Sequence, residues 1–381
     1  MQVNFAFSEE QEELRNQARR FLEDKAPSEV VRKLMETEDG YDASLWKQIA
    51  DLGWQAMHIP EEYGGAGFSY IELIVLLEEM GRALFPAPYF SSVCLAANAL
   101  LVAGSEDQKK AHLPGIASGE TIATLAFTEA SGRWDAAGIQ MAASKDGDGY
   151  TLSGTKLFVL DGATANLLIV AARTADGGSP EDGVTLFVVP ADAAGISRKV
   201  LNTMDQTRKQ AEVTFDGVKV GSDAVLGNEG AGWNSLERVL DLAAVALAAE
   251  QVGGAQKVLE MAVEYAKVRV QFGRPIGSFQ AIKHKCADML LEVESAKSAA
   301  YYAAWAAREQ NEELPVVASL AKSYCSEAYF HAAAENIQIH GGIGFTWEHD
   351  AHLYFKRAKS SEIILGDPTY HRELLAQRIG L

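Results

Sequence analysis

The segment Gln338-Ile-His-Gly-Gly-Ile-Gly-Phe-Thr-Trp-Glu348 decides how the last third of this 381-residue chain is interpreted. Helical patterns lead into and out of it, and glycines at positions 341, 342 and 344 leave a turn without side chains. Another molecule's backbone or a phosphate can approach such a turn closely. Leu365-Gly-Asp-Pro368 follows after sixteen more residues. The sequence therefore predicts a ligand-side turn between two helices.

The local patterns divide the chain into three parts. In residues 1–120 apolar residues recur at helical spacing, and Ser8 followed by Gln11 is a capping-box pattern. Between residues 121 and 228, short β-branched and aromatic runs separated by turn residues predict an antiparallel barrel or sandwich. Helical spacing then returns. We predict an α+β multidomain chain with an α-helical N-terminal domain (1–120), a middle β-barrel (121–228) and a C-terminal helical domain (229–381).

Charge and composition exclude several classes of protein. A formal net charge of −18 argues against a nucleic-acid or anionic-membrane surface, because both require a basic face. The N-terminus has no signal-peptide pattern, and no apolar run is long enough for a membrane span. Three widely spaced cysteines fit neither a disulfide framework nor a zinc site. We therefore expect a cytoplasmic protein.

Two motifs have competing interpretations. Gly227-Asn-Glu-Gly-Ala-Gly232 is similar to a dinucleotide-binding loop, but no βαβ unit surrounds it, so a connection between domains is favoured. Glu348-His-Asp-Ala-His352 places two histidines three residues apart, as some metal sites do, but no third firm ligand accompanies them. The sequence predicts no metal site.

Three C-terminal segments together resemble the acyl-CoA dehydrogenase family: Tyr265-Ala-Lys-Val-Arg-Val-Gln-Phe-Gly273, Ser278-Phe-Gln-Ala-Ile282 and the glycine-rich turn itself. A plain helix C-terminus would explain Arg269 and Phe272 if they stood alone. The resemblance, which spans essentially the whole chain, implies a C-terminal four-helix bundle and an FAD cofactor. It also implies oligomerisation, in which the Arg–Phe pair reaches the flavin of a neighbouring subunit. The implied FAD-binding residues are Arg269, Gln271, Phe272, Gln280, Gln338, Gly341 and Gly342.

The resemblance implies further cofactor residues in the middle domain. Thr128-Glu-Ala-Ser-Gly-Arg-Trp-Asp135 stands where the family usually has Thr-Glu-Pro and then Gly-Ser-Asp, so Thr128 is expected to bind the flavin pyrimidine. Arg133 could supply a charge-assisted phosphate contact, and the role of Trp134 stays open. Lys156-Leu-Phe-Val-Leu-Asp-Gly162 resembles the family's Lys-Met-Trp-Ile-Thr-Asn-Gly strand, so Phe158 would cover the flavin. A plain barrel strand explains Phe158 equally well.

The catalytic base of the family is missing from both of its usual places. Aligned through the glycines, the glutamate that usually precedes the terminal glycine is Leu365, and the alternative places on the first C-terminal helix are Ala243 and Ala244. Asp367 is the nearest remaining carboxylate and our candidate base, although an N-cap before Pro368 explains it fully. Glu362 and Glu250 are weaker candidates.

Taken together, the resemblance implies an FAD-dependent dehydrogenase that oxidises an acyl-CoA thioester between its α and β carbons. Its expected partners are an electron-transfer flavoprotein and other copies of the chain in a homotetramer. The alternative is a non-catalytic or half-site subunit of an α2β2 heterotetramer, as in relatives that act on steroid side chains or dicarboxylates. An oxidase or monooxygenase on the same fold is a third possibility, which no motif supports.

Overall fold

The computed structural model describes residues 7–381 and shows two compact units. The first, here called the helical unit, comprises Met1–Arg32, Ser69–Phe85 and Ala244–Leu381, of which the first six residues lie outside the described part. The second, the sheet unit, comprises Lys33–Phe68 and Pro86–Ala243. The predicted order of helices, strands and helices is confirmed, while the domain boundaries at residues 120 and 228 stay predictions.

Long helices make up most of the helical unit. Ser8 caps α1 (Glu9–Lys25) in the predicted capping box, because its side chain accepts from Gln11 N and the Gln11 side chain accepts from Ser8 N. Two helices, α2 (Ser28–Met35) and α7 (Gly232–Val268), contribute residues to both units. A short hairpin of β9 (Val270–Gln271) and β10 (Arg274–Pro275) follows α7. The helices are α1 (Glu9–Lys25), α2 (Ser28–Met35), α4 (Tyr70–Arg82), α7 (Gly232–Val268), α8 (Gln280–Arg308), α9 (Leu314–His340), α10 (Ala351–Ile363) and α11 (Pro368–Arg378).

Two glycines allow α4 and α7 to pack backbone against backbone. A Cβ atom at Gly253 of α7 would lie 1.8 Å from the carbonyl oxygen of Glu78. A Cβ atom at Gly81 of α4 would lie 2.0 Å from the carbonyl oxygen of Glu250. Real Cβ atoms cannot approach another atom so closely, so the crossing requires glycine at both positions.

One eight-stranded sheet forms the centre of the sheet unit, in the order β6-β7-β3-β2-β4-β5-β8 with β1 paired to β4. The strands β4 and β5 are buried along nearly their whole length. The pairs β1–β4 and β2–β4 are parallel, whereas the sequence predicts antiparallel pairing throughout. The strands are β1 (Ala123–Ala126), β2 (Ala142–Asp146), β3 (Gly149–Leu160), β4 (Leu167–Arg173), β5 (Val184–Pro190), β6 (Ile196–Val200), β7 (Gln210–Gly221) and β8 (Val225–Leu226).

Helical segments complete the sheet unit. They are α3 (Ala43–Asp51), the π-helical stretch Phe90–Ala96 with α5 (Ala97–Ala103), and α6 (Glu106–Ala117). The loop Gly227–Gly232 connects β8 with α7, and Gly230 N donates to Thr185 Oγ1 at 2.8 Å. No parallel strand follows that loop directly, which agrees with the prediction that it is a connection and not a dinucleotide site.

Candidate functional site

The predicted residues Arg269, Gln271 and Phe272 lie at the hairpin that follows α7. This helix ends at Val268, so a plain helix C-terminus accounts for Arg269, whose N–H donates to the Tyr265 carbonyl at 2.9 Å, but not for Phe272. Instead Phe272 and Gly273 form the two-residue turn between β9 and β10, with φ of +52° and +78°. Left-handed backbone at both central residues is typical of a type I′ hairpin turn. The Phe272 ring lies edge-on to Phe279, with ring centroids 6.1 Å apart, and the side chain is still 92% exposed.

The glycine-rich turn ends α9. Gly341 has a φ of +65°, and its N–H donates to the carbonyls of Gln338 and Ile337. An added Cβ at Gly341 or Gly342 would meet no atom within 4 Å, and both residues are exposed. The turn therefore leaves open space beside backbone groups, as the sequence predicts for a ligand-side turn. Gln338 and Gln280 are exposed as well.

In the sheet unit, a buried ion pair fixes the loop that carries Thr128. Lys156 is fully buried and donates to Glu129 Oε1 at 2.7 Å and to the carbonyl of Phe127 at 3.2 Å. The backbone N–H of Leu157 donates to the carbonyl of Thr128 at 2.9 Å. Burial lowers the pKa of Lys156 to about 8, and the Glu129 carboxylate opposes that shift. The backbone of Thr128 is thus held beside β3 by its own bond to Leu157 and by the bonds of Lys156 to the residues before and after it. Its side chain is half-buried.

Phe158 lies at an irregularity of β3. The pairing of β3 with β7 shifts register between Lys156 and Val159, and Phe158 has a φ of +57°. The extra residue turns its ring outward, so that it is 50% exposed. Left-handed backbone is strained for an aromatic residue and concentrates at ligand sites. Phe158 and Phe272 share this strain and this exposure, although the two lie in different units.

The predicted phosphate contact of Arg133 has a competitor within the chain. Its guanidinium forms a bidentate pair with Asp135, with Nε 2.9 Å from Oδ1. The pair is exposed and lowers the pKa of Asp135. A phosphate would have to displace or share this carboxylate, so the role of Arg133 stays a prediction.

The positions of the missing base are filled by buried apolar residues. Leu365 is 8% exposed, and Ala243 and Ala244 are completely covered. Asp367 caps α11: its Oδ1 accepts from Tyr370 N at 2.8 Å, and Pro368 opens the helix. The structure therefore confirms the capping role of Asp367, and its role as a base stays a prediction.

The two weaker carboxylate candidates are also engaged. Glu250 on α7 lies buried beside Arg357 on α10, with Oε1 3.2 Å from Nη1. Glu362 accepts from Lys359 Nζ at 3.1 Å. The Glu250–Arg357 pair was missed by sequence reasoning, because the residues are 107 positions apart and on different helices. The sequence does place two opposite charges, Glu250 and Arg357, in largely apolar helices, and this pattern could have indicated the pair.

The histidine segment around residues 348–352 is engaged in ring stacking. His352 stacks on Trp347 with ring centroids 4.8 Å apart, and His349 packs against His340 at 4.5 Å. Across residues 7–381, no three His, Cys, Asp or Glu side chains converge as ligands for a metal ion. In the same range, no helix is both long and apolar enough to traverse a membrane.

The buried Lys156 gives a testable prediction. Lys156→Met should lower the free energy of unfolding by about 2–3 kcal/mol at pH 7, because Glu129 keeps only its two backbone donors, Gln140 N and Met141 N. Since the pKa of Lys156 in the folded chain is about 8, below its ordinary value of 10.5, the folded state loses this proton first. The stability of the wild type relative to the variant should therefore rise between those pH values.

Urea titrations at pH 7 and pH 10 measure both effects. Lys145→Met is the matched control, because Lys145 pairs with Glu229 on the exposed surface and should cost less than about 1 kcal/mol. Equal losses in the two variants would contradict the assigned role of the buried pair.

Comparison with known proteins agrees with this architecture. Three family descriptions match in order: acyl-CoA dehydrogenase N-terminal domain over residues 8–120, middle domain over 124–218 and C-terminal domain over 230–380. The chain is 36% identical over 362 residues to acyl-CoA dehydrogenase IpdE2 of Mycolicibacterium smegmatis, covering 95% of this chain and 96% of the relative.

Two solved structures show the same fold. Butyryl-CoA dehydrogenase from Megasphaera elsdenii superposes with a TM-score of 0.92 at 30% identity, covering 99% of this chain and 100% of that chain. A chain of the ChsE4–ChsE5 complex from Mycobacterium tuberculosis gives 0.89 at 28% identity, covering 99% of both. The predicted three-domain fold is confirmed by these matches. The protein therefore belongs to the acyl-CoA dehydrogenase family of oxidoreductases.

Proposed function

We propose that the protein binds FAD and takes part in the α,β-dehydrogenation of an acyl-CoA thioester, passing the electrons to an electron-transfer flavoprotein. The observation that carries this proposal is the pair of exposed, left-handed phenylalanines, Phe158 and Phe272, at two positions where the family resemblance predicts flavin contacts. Residues held in strained backbone with open aromatic faces are typical of ligand sites.

The residues present fit a flavin dinucleotide. Around Gly341 and Gly342 there is room for a phosphate to approach the backbone closely. Arg269, at the start of the hairpin after α7, is exposed and carries a guanidinium that can pair with a phosphate. Phe272 offers a ring face for the adenine of a neighbouring subunit's flavin, as the resemblance implies, and Phe158 offers one for the isoalloxazine of the chain's own flavin. When bound, the flavin supplies the acceptor for the hydride that leaves the β carbon. Thr128, held by the Lys156–Glu129 pair, would hydrogen-bond the pyrimidine edge and stabilise negative charge there.

The α-proton needs a carboxylate, and Asp367 is the candidate that this chain offers. Its Oδ1 caps α11, so the proton would be taken at Oδ2. Asp367→Asn is a sharp test, since asparagine caps helices as well as aspartate does and only the charge is lost. We expect this variant to keep FAD and to lose dye reduction by about 10²-fold or more. Unchanged turnover would reject Asp367 as the base.

One observation favours a second function, that of a half-site subunit in a heteromeric dehydrogenase. Glu250, Glu362 and Asp367 are each engaged by a partner within the chain, as a buried ion pair, a half-buried ion pair and a helix cap. The base would then come from a sister subunit. The solved ChsE4–ChsE5 complex, a structural relative, is an assembly of two different chains and supports this alternative.

Purification of the chain alone separates the two functions. A yellow protein that reduces a dye with butyryl-, octanoyl- or palmitoyl-CoA would support the stand-alone enzyme and eliminate the half-site subunit. A colourless and inactive protein that gains both properties on co-expression with a homologous chain would support the α2β2 assembly. The homotetramer, the flavoprotein partner and the cytoplasmic location are parts of the same proposal; the location is inferred from the odd number and wide spacing of the three cysteines.

A further inference from the structure

Lys322 is a fully buried lysine in the first half of α9. Its ammonium donates three hydrogen bonds, each to a neutral oxygen: Ser326 Oγ at 3.0 Å, the carbonyl of Glu362 at 3.0 Å and the carbonyl of Gly366 at 2.9 Å. An ammonium has three N–H donors, so all of them are used. Burying a charge is unfavourable unless it is well hydrogen-bonded, which makes this arrangement specific to one geometry.

Two of these bonds hold the end of α10 and the loop that follows it. The Glu362 carbonyl belongs to the last turn of that helix, where carbonyls lack helical partners and carry negative dipole charge. The Gly366 carbonyl lies in the loop that leads to α11. Lys322 therefore ties the helix end and the loop to a third element, α9. Burial lowers the pKa of Lys322 to about 7. The negative charges of Glu362 and Asp367 oppose this shift and offset part of it.

His371 holds the same loop from α11. Its Nε2 lies 2.9 Å from the carbonyl oxygen of Leu365, which can only accept, so Nε2 carries the proton. Burial and the charge of Lys322 lower the pKa of His371 to about 3, so the ring stays neutral. The carbonyls of Glu362, Leu365 and Gly366 are thus all fixed by two buried side chains.

The loop that they hold is strained. Leu365 has a φ of +64° and Gly366 a φ of +106°. A Cβ atom at Gly366 would lie 2.3 Å from Cδ1 of Tyr370, so this position requires glycine. A leucine in left-handed backbone persists only where surrounding structure holds it. The two clamping side chains supply that restraint.

We propose that Lys322 and His371 are positioning residues, which fix the backbone of Leu365 and Gly366 and thereby the direction of whatever side chain stands at position 365. This inference deepens the proposed function and rests on it, because position 365 is where the family resemblance places the base. It implies that the loop keeps its geometry although leucine has replaced the acid.

Hydrogen–deuterium exchange on the full chain tests the restraint without any activity. Lys322→Met and His371→Leu should each accelerate exchange of the peptide covering residues 362–371 about tenfold or more, while α1 is unchanged. Lys359→Met is the control, since it removes an ammonium that donates to the Glu362 side chain on the same helix and lies over the Phe330 ring on α9, whereas Lys322 donates to the backbone carbonyls. Uniform acceleration in all helices, or none, would overturn the proposal. If Lys322→Met does not fold, His371→Leu decides.

A gain-of-function series tests the chemical consequence. In the Asp367→Asn background, which lacks the proposed base, Leu365→Glu should raise dye reduction with butyryl-, octanoyl- or palmitoyl-CoA by about 10²-fold or more, since it supplies a general base. Adding Lys322→Met should then lower kcat at least about tenfold with little change in KM, because the base is misdirected. An unchanged kcat would overturn the positioning role. If Leu365→Glu is inactive with bound FAD, the proposed reaction at this position fails, and the exchange result alone decides the restraint.

Discussion

Replacing Arg357 by methionine should lower the free energy of unfolding by about 3–5 kcal/mol. Arg357 is 2% exposed and its Nη1 lies 3.2 Å from Oε1 of Glu250, which is also buried. Removal of Arg357 takes this cation away from the buried Glu250 carboxylate, so that the desolvation of the carboxylate is less well offset. The expected loss is a large part of the stability of an ordinary domain. Urea denaturation followed by circular dichroism measures it.

Two companion variants make the result interpretable. Arg372 pairs with Glu327 on the exposed surface, so Arg372→Met should cost less than about 1 kcal/mol. The double variant Glu250→Leu/Arg357→Met should recover most of the loss, because apolar side chains of similar size often replace a buried ion pair without penalty. If Arg357→Met lowers the free energy of unfolding no more than Arg372→Met does, the buried ion pair is not a major source of stability.

Replacing Gly253 by valine should prevent the helical unit from folding, or destabilise it by more than about 4 kcal/mol. Even a single Cβ at this position would lie 1.8 Å from the Glu78 carbonyl oxygen, and that neighbour is backbone of α4, which cannot rotate away. The two helices would have to separate, which would undo the second close approach at Gly81. The gain in helix propensity over glycine is far too small to compensate.

Thermal melts of Gly253→Ala, Gly253→Val and Gly342→Ala test whether the loss of stability comes from the close approach of α4 and α7. Gly342 has open space around an added Cβ, so its alanine variant should change the free energy of unfolding by less than about 1 kcal/mol. The two Gly253 variants should lose stability in order of size. Wild-type stability for Gly253→Val would show that α4 and α7 can repack at a greater separation.

Local features of the fold were predictable from the sequence. The cap at Ser8 and the cap at Asp367 depend only on residues within three positions, and both are present. Helical and strand periodicity likewise gave the correct order of the three parts. The pairing direction of β1 was not predictable, because it depends on which distant strand lies beside it.

The candidate site was predictable only where family resemblance supplied positions. The left-handed backbone of Phe158 depends on a register shift against β7, and that of Phe272 on a hairpin turn that sequence spacing alone presented as a helix end. Two of the three partners of Lys322, the carbonyls of Glu362 and Gly366, lie 40 and 44 residues further along the chain. Such long-range contacts produce no regular spacing of residues in the sequence. A buried lysine therefore cannot be told from a surface lysine by sequence pattern alone.

The hairpin after α7 has a consequence for handling the protein. Phe272 at its tip is 92% exposed, and the flanking Val268 and Val270 are 71% and 52% exposed. Burial of one phenylalanine side chain in another molecule contributes about 1.5–3 kcal/mol, and the adjacent valines add to it. When the chain is overproduced without whatever normally covers this tip, unspecific self-association is the expected outcome. Low yield and precipitation at high concentration would then reflect a missing neighbour and not a misfolded chain.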